Sequence, residues 1–224
     1  MYMTTKRKVI LTEGEIYHIC NHSVGDQEIL YRQIELQRAL DLIDYYRYPQ
    51  QIRFSQYKNL TVDLQKEYQK TFKKQAPLIE IYAFSLMPNH FHLLSKQILK
   101  NGIKIFISNF QNAFAKYFNK RNKKGGSVFR NPFKAKWIER DEIFTHVSRY
   151  IHLNPVTSHL IQIEDLISYP WSSYRFYSLN MTNDLVITKP LLDIVGSNKK
   201  YQKFVENQVD YQRKLQLIKN VMLE

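Results

Sequence analysis

The feature that most constrains the fold is a pair of strand-like segments joined by a short turn near the middle of the sequence. Residues 78–86 are rich in β-branched and aromatic side chains, which favours a strand. The Met-Pro-Asn sequence at 87–89 favours a turn, and residues 90–94 have the pattern of a returning strand. The sequence therefore predicts a β-hairpin. His90 and His92 are two residues apart in this hairpin, so both imidazoles project from the same face.

Three segments have the apolar spacing of helices, namely residues 28–46, 102–119 and 142–154. The third is the best delimited, because Asp141 can cap its start and Pro155 is expected to mark its end. Helical periodicity places a set of its residues on a single face. This set is Ile143, Val147, Tyr150, Ile151 and Asn154. Strand-like stretches at residues 16–20 and 133–138 lie on either side of the hairpin in the sequence.

Two regions stand apart from this pattern. Residues 47–75 are polar and read as an insertion, with a helical pattern around residues 60–72. The tail from residue 181 contains a predicted helix at 199–218. We therefore expect a main domain at residues 1–180 and a C-terminal helical extension at residues 181–224.

The charge of the chain points to a polyanionic partner. The 224 residues carry 33 Lys and Arg against 20 Asp and Glu, giving a net charge of +13 and a pI near 9.6. Fixed positive charge releases the counterions condensed on nucleic acid, and the 16 Tyr and 13 Phe can supply stacking platforms or core packing. A single cysteine, Cys20, excludes an internal disulfide and any multi-cysteine zinc site. No membrane span or signal peptide is predicted, so we expect a cytoplasmic protein.

Two residue pairs could carry chemistry. Two neutral imidazoles on one strand face, those of His90 and His92, form half of a divalent metal site. Tyr150 and Asn154 are one turn apart on one helix face, where a phenol could act as a nucleophile and an amide oxygen as a further ligand. Taken alone, each pair also has a plain structural interpretation. His90 and His92 fit a surface feature of a strand, whereas Tyr150 fits a core aromatic residue and Asn154 a residue at the end of a helix.

Three motifs together resemble the REP-associated tyrosine transposases, members of the HUH single-strand transposase superfamily. They are MPNHFHLL at 87–94, RYIHLNPV at 149–156 and YPWSSY at 169–174. Supporting segments occur in the same order along nearly the whole chain: YHICNHSV at 17–24, SVFRNPFKAKWI at 127–138 and DIVGSNKKYQKFVE at 193–206. The resemblance implies a ferredoxin-like α+β fold, in which an antiparallel sheet carries the two histidines and helices pack on one face.

The resemblance also implies an activity. His90 and His92 would hold a divalent metal, Mg²⁺ or Mn²⁺, with Asn154 as third ligand, and Tyr150 would be the catalytic tyrosine. Such an enzyme cuts single-stranded DNA beside hairpins through a 5′-phosphotyrosine intermediate and can rejoin the strand to a 3′-hydroxyl. The expected partner is hairpin-containing single-stranded DNA in the bacterial cytoplasm or nucleoid, and a monomer is favoured over a dimer. The alternatives are a non-catalytic nucleic-acid-binding protein on the same fold and a replication-initiator or relaxase-type HUH nuclease.

Other polar residues near these motifs have plain structural interpretations. His152 should face away from the metal, because it lies on the other side of the helix from Tyr150 and Asn154. The shared face parity of His18 and His22 allows an approach to the site or the DNA, but structural histidines are the favoured expectation. Asn89 is expected to shape the turn rather than to bind metal. The Trp171–Tyr174 segment fits a packed corner as well as a substrate contact.

The candidate DNA-binding residues are cations that follow the 102–119 helix. A basic loop is expected at residues 120–126, and further cations follow in the next strand-like stretch. The full set is Lys120, Arg121, Lys123, Lys124, Arg130, Lys134 and Lys136.

Overall fold

The computed structural model of the protein describes residues 9–179, 181 and 183–207, and it contains one sheet between two helical layers. The strands are β1 (Ile16–His22), β2 (Ile79–Met87), β3 (His90–Gln97) and β4 (Lys134–Ile138). The helices are α1 (Gln33–Tyr46), α2 (Phe54–Lys58), α3 (Val62–Lys73), α4 (Gly102–Asn122), α5 (Asp141–Thr157), α6 (Tyr174–Ser178), α7 (Lys189–Val195) and α8 (Asn198–Glu206). The predicted α+β fold class is confirmed.

The sheet has the strand order β2-β3-β1-β4, and all its pairings are antiparallel. The predicted hairpin is β2 and β3, joined at the Met-Pro-Asn turn. Because alternate residues of β3 point to opposite faces, Phe91 points away from His90 and His92. The Phe91 ring lies 5.3 Å from that of Phe110 in α4. On the other face, the Tyr82 ring lies 5.2 Å from that of Phe144 in α5. Helices thus cover both faces, with α1 and α4 on one and α5 on the other, whereas the resemblance implied helices on one face only.

The start of α4 is held close to β2 by a glycine. The backbone N–H groups of Ile98 and Leu99 donate to the Leu78 carbonyl just before α4 begins. A Cβ atom on Gly102 would lie 2.2 Å from that carbonyl oxygen, which is shorter than any tolerated contact. Glycine at position 102 is therefore needed for the helix to begin here.

Three predicted element boundaries are wrong: the start of α1 and the ends of α4 and α5. Residues 28–32 do not belong to α1, because Ile29 and Leu30 are buried in a loop and donate from their backbone to the Pro88 carbonyl. Helix α4 continues to Asn122, so the predicted loop at 120–126 begins inside the helix. Pro155 lies inside α5 and does not end it. A proline in the last turn removes one hydrogen bond, and the Ser158 N–H still closes the helix on the Asn154 carbonyl.

The polar segment 47–75 folds against α1 through an aromatic cluster. It forms α2 and α3, of which only α3 matches the predicted helix at 60–72. Phe54 and Phe72 are buried against Tyr45, at ring distances of 5.2 and 5.6 Å. A few aromatic side chains are thus enough to dock a segment that is polar on average.

The C-terminal residues pack on the main core. The Ile187 N–H donates to the Ile81 carbonyl in β2, and Tyr201 of α8 is fully buried against α5. The helix predicted at 199–218 is α8, which begins at Asn198, and residues beyond 207 lie outside the described part of the chain. The boundary at residue 180 stays a prediction. No helix of the described residues has the length and apolar character needed to cross a bilayer.

Candidate active site

The strand register gathers four histidines on one face of the sheet. In β3, His90 and His92 lie opposite His22 and Cys20 of β1. Directly opposed residues in an antiparallel pair share a face, so His18, Cys20 and His22 lie beside the β3 histidines. The rings of His22 and His90 stack at 4.6 Å, and those of His18 and His92 stack at 5.1 Å.

Helix α5 brings Tyr150 and Asn154 to this same face. The Tyr150 ring lies 5.6 Å from the His92 ring and 5.9 Å from the His18 ring, edge-on in both cases. The ring of His90 lies 5.1 Å from that of His92. Asn154, one helical turn after Tyr150, is 3% exposed. The structure therefore places the four predicted site residues in one neighbourhood, although 60 positions separate His90 from Tyr150.

Hydrogen bonds hold the two β3 imidazoles in defined orientations. The Asn89 Oδ1 atom lies 2.6 Å from His90 Nδ1. A carboxamide oxygen only accepts, so this bond places the His90 proton on Nδ1 and leaves a lone pair on Nε2. His92 Nδ1 lies 2.8 Å from His18 Nε2, which fixes the orientation of the second ring. Asn89 thus contacts a predicted metal ligand as well as occupying the turn.

The protonation states suit a cation-binding face. Burial lowers the pKa of His90 to about 4, and the nearby His22 acts in the same direction, so His90 is neutral at pH 7. Burial and the charge of Arg130 also lower the pKa of His22. Burial raises the pKa of the Tyr150 phenol above its ordinary value of 10, whereas contact with Asn154 acts in the opposite direction. Loss of the Tyr150 proton therefore needs a nearby positive charge or a proton acceptor.

The donor set fits a divalent cation. Within the described ranges, no three His, Cys, Asp or Glu side chains are arranged to hold a metal ion. The candidate set instead combines the two imidazoles of His90 and His92 with the Asn154 amide. This mixture of nitrogen and oxygen donors can bind Mg²⁺ or Mn²⁺, but it matches these ions less closely than a set of carboxylates does. Among the residues that the structure describes, the buried Asn154 Nδ2 atom has no hydrogen-bond partner, so the polar environment next to Tyr150 is incomplete.

The structure places His18 and His22 against His92 and His90, beside the candidate site. Their even spacing in β1 gives them the same face parity as the His-x-His motif, which allows this approach, although the sequence favoured a structural role. Which strand lies beside β3 was the missing information.

His152 lies away from this face, as predicted. It is fully buried, and its Nδ1 and Nε2 atoms each lie 2.7 Å from a hydroxyl, those of Tyr201 and Ser173. Burial lowers its pKa to about 3. Ser173 Oγ also accepts from the Phe84 N–H, and Trp171 accepts at its carbonyl from the Leu86 N–H. The Trp171–Tyr174 segment is therefore a packed corner that joins α5 to β2.

The predicted DNA-binding cations fall into separate places. Lys134 and Lys136 are exposed on β4 and lie opposite Cys20 and His18, so they share the face of the site. Arg130 lies at the rim of the site, where it donates to the Ser23 carbonyl and pairs with Asp26 at 2.6 Å. The remaining cations lie at the end of α4, in the helical layer on the other side of the sheet. They are Lys120, Arg121, Lys123 and Lys124, of which Arg121 lies 3.7 Å from Glu35.

The described residues form an α+β domain in which an antiparallel sheet presents a His-x-His strand to a tyrosine on a covering helix. Residues 52–154, which include the His-x-His motif, Tyr150 and Asn154, match the family described as "Transposase IS200 like". The predicted resemblance to a transposase family is confirmed over these residues.

Two solved structures are similar to the chain, and the first of them has the same fold. The chain is similar to a REP-associated tyrosine transposase solved bound to a REP hairpin, with a TM-score of 0.52 and 13% identity, over 82% of this chain and 94% of the other. A second similar structure is a candidate transposase from Deinococcus radiodurans R1, with a TM-score of 0.36 and 14% identity over 66% of this chain and 95% of the other. Among curated proteins, none matches the sequence.

Proposed function

We propose that the protein is a metal-dependent endonuclease and strand transferase that cuts single-stranded DNA beside hairpins. The observation that carries the proposal is the position of the Tyr150 ring, 5.6 Å from His92 on the histidine-bearing face of the sheet. The similar structure that was solved with a REP hairpin supports the choice of hairpin DNA as substrate. A DNA substrate of this kind implies a place in the bacterial cytoplasm.

In this proposal His90, His92 and Asn154 hold Mg²⁺ or Mn²⁺. The bound cation would supply charge neutralisation at the phosphate under attack and would favour the ionised phenol. Because His90 is neutral and Asn89 fixes its orientation, the lone pair of His90 Nε2 is available to bind a cation.

Tyr150 acts as the nucleophile. Its phenolic oxygen forms a bond to the scissile phosphorus, while the bond from phosphorus to the 3′-oxygen breaks. The phenol gives up its proton, and the leaving 3′-oxygen takes one up. The products are a 5′-phosphotyrosine and a free 3′-hydroxyl. Attack of a 3′-hydroxyl on the phosphotyrosine reverses these bond changes and joins the strand without an external energy source.

The open half of the sheet face gives the strand a path to Tyr150. Helix α5 packs mainly on β2 and β3, whereas His18 and His22 of β1 are partly exposed. Lys134 and Lys136 of β4 flank this open half and are placed to contact phosphates. One chain supplies the histidines, the amide and the tyrosine, so we propose that a monomer is sufficient.

The test is covalent capture of the DNA. The protein is incubated with a labelled hairpin flanked by single strands, taken from around its own gene, in Mg²⁺ or Mn²⁺. We expect a denaturation-resistant adduct that is lost with EDTA and with Tyr150→Phe. Tyr169→Phe is the matched control, because the hydroxyl of this partly buried tyrosine donates to the Leu86 carbonyl, and its loss should leave the adduct intact. Tight binding without any adduct would favour the non-catalytic alternative.

A further inference from the structure

A second basic surface lies in the helical layer that does not contain Tyr150. Helices α1, α2 and α4 enclose a cavity of about 610 Å³, which we call the α4 groove. Its cationic side chains are Arg38, Arg53, Lys58, Lys116 and Lys120. None of the described residues that line it is Asp or Glu. A smaller cavity of about 160 Å³ is lined by Asp41 and Asp44, and it shares Phe54 and Lys58 with the α4 groove.

The positive charges of the α4 groove are not neutralised by carboxylates. The Arg38 guanidinium lies over the rings of Tyr117 and Phe54, at 4.6 and 5.1 Å, and these rings hold it without cancelling its charge. Within the described part of the chain, none of the five cations has an ion pair. The Tyr117 hydroxyl is buried in the groove wall, and none of the described residues forms a hydrogen bond with it. These features indicate an anionic ligand that accepts hydrogen bonds.

The chemistry of the groove favours a phosphate backbone over unpaired bases. Single strands are held by exposed rings on which bases stack. In this groove, Tyr46 and Phe54 are buried, and Tyr117 is covered by Arg38. What remains accessible is a set of cations and the small polar side chains of Ser55, Asn59 and Asn112. Such groups contact phosphate and sugar without reading sequence.

The position of the groove separates its ligand from the cleaved phosphate. Helix α4 packs on the Phe91 side of β3, whereas Tyr150 lies on the His92 side. A nucleotide at Tyr150 is therefore on the other side of the sheet from Lys116 and Lys58. Arg53 and Lys58 also come from the polar segment 47–75, which has no role in the catalytic site.

We propose that the α4 groove binds the phosphate backbone of the base-paired stem of the hairpin substrate, while the unpaired strand enters the site at Tyr150. The inference rests on the proposed function for the identity of the DNA. Cations on two walls, from α2 and from α4, suit the two phosphate rows that border a duplex groove.

The test is metal-free binding of DNA to Lys58→Ala/Lys116→Ala. Both lysines are exposed, and the control variant Lys66→Ala/Lys70→Ala removes two exposed lysines of α3 that do not line the groove. Fluorescence anisotropy is measured in EDTA between 50 and 200 mM salt, with a labelled hairpin and with an unpaired strand of equal length. We expect the groove variant to bind the hairpin about tenfold or more weakly at 0.1 M salt, with a logarithmic salt slope reduced by about 1.8. The control variant and the unpaired strand should change by less than about twofold.

Two results would overturn the inference. One is a groove variant that keeps the hairpin affinity and salt slope of the control. The other is an equal loss for the hairpin and for the unpaired strand, which would assign the groove to single strands. Adduct formation on a short unpaired oligonucleotide separates this inference from the proposed function. If the groove variant keeps that activity, a loss of hairpin binding is caused by the change in the groove and not by damage to the catalytic site. If the wild-type protein forms no adduct on any DNA, the proposed function fails while the binding comparison still decides the groove.

Discussion

At the scale of single residues, the site consists of two histidine pairs that cross from β1 to β3. His22 stacks on His90, and His18 contacts His92 through a nitrogen-to-nitrogen distance of 2.8 Å. Neighbours that fix ring orientation contribute to the affinity of a site for its metal. We therefore assign the β3 histidines to the cation and the β1 histidines to their support.

The metal assignment predicts a loss of cation binding when His90 is replaced. His90→Ala removes a neutral imidazole, so we expect Mn²⁺ affinity, measured by calorimetry without DNA, to fall by at least about tenfold. His159→Ala is the control, because His159 is exposed after the end of α5. Equal Mn²⁺ affinity in the two variants would contradict the assignment.

The buried His152 predicts a specific loss of stability in acid. Its folded-state pKa of about 3 lies below the ordinary value of 6.5, so below pH 6.5 the unfolded chain binds the proton more readily. The stability contributed by the neutral ring is complete above pH 6.5 and is lost progressively as the pH falls toward 3. Between pH 6.5 and 5 the loss is about 2 kcal/mol.

The measurement compares wild type with His152→Gln by denaturant unfolding across this pH range. The difference in unfolding free energy between the two proteins should shrink by about 2 kcal/mol as the pH falls from 6.5 to 5. A difference that stays constant with pH would show that the ring is not buried in its neutral form.

At the scale of the elements, α4 packs on the sheet through a row of buried aromatic residues. Its residues Phe106, Phe110 and Phe114 are fully buried, and Phe110 contacts both Phe91 and Phe129. We expect Phe110→Ala to lower the free energy of unfolding by about 3–5 kcal/mol. Ile105→Ala in the same helix is the control, because Ile105 is 42% exposed, and its cost should stay within about 1 kcal/mol. Similar costs in urea unfolding would contradict this packing.

Local sequence patterns predicted most of these elements. The hairpin, α4 and α5 have apolar spacing that matches their final burial, since each element buries its own apolar face. The start of α1 was missed, because Ile29 and Leu30 are buried by a loop that bonds to Pro88, a contact distant in the sequence. The end of α5 was missed because a proline in the last turn of a helix costs one hydrogen bond and can be tolerated there.

The site was only partly predictable, because some of its contacts join residues that are distant in the sequence. His90, His92, Tyr150 and Asn154 belong to recognisable motifs, so they could be named from the sequence. The contributions of His18, His22 and Asn89 depend on strand register and on side-chain contacts, which no local pattern encodes. The four cations at the end of α4 look equivalent to Lys134 and Lys136 in the sequence, yet the fold puts them in the layer on the other side of the sheet.

At the scale of the whole molecule, seven of the described basic residues lie on two surfaces. Lys134 and Lys136 lie beside the histidine face, and the α4 groove carries five cations in the other helical layer. Such a distribution suits a substrate with an unpaired part and a paired part.

This division predicts that the two surfaces respond to different DNAs. Lys134→Ala/Lys136→Ala should weaken binding of an unpaired strand and reduce its logarithmic salt slope by about 1.4, because each phosphate contact of a single strand contributes about 0.7. Lys66→Ala/Lys70→Ala again serves as the control. Anisotropy titrations in EDTA give both the affinity and the salt slope. An unchanged slope would show that the β4 lysines do not contact the single strand.

The central claim is that Tyr150 attacks a phosphodiester, and mapping the covalent product tests it most directly. The adduct formed with hairpin DNA and Mn²⁺ is trimmed with nuclease, digested with trypsin and sequenced by tandem mass spectrometry. We predict a nucleotide joined through its 5′-phosphate to Tyr150, one of 16 tyrosines, together with a released strand that ends in a 3′-hydroxyl. A nucleotide on any other residue, a linkage through a 3′-phosphate, or cleavage without a covalent product would contradict the account.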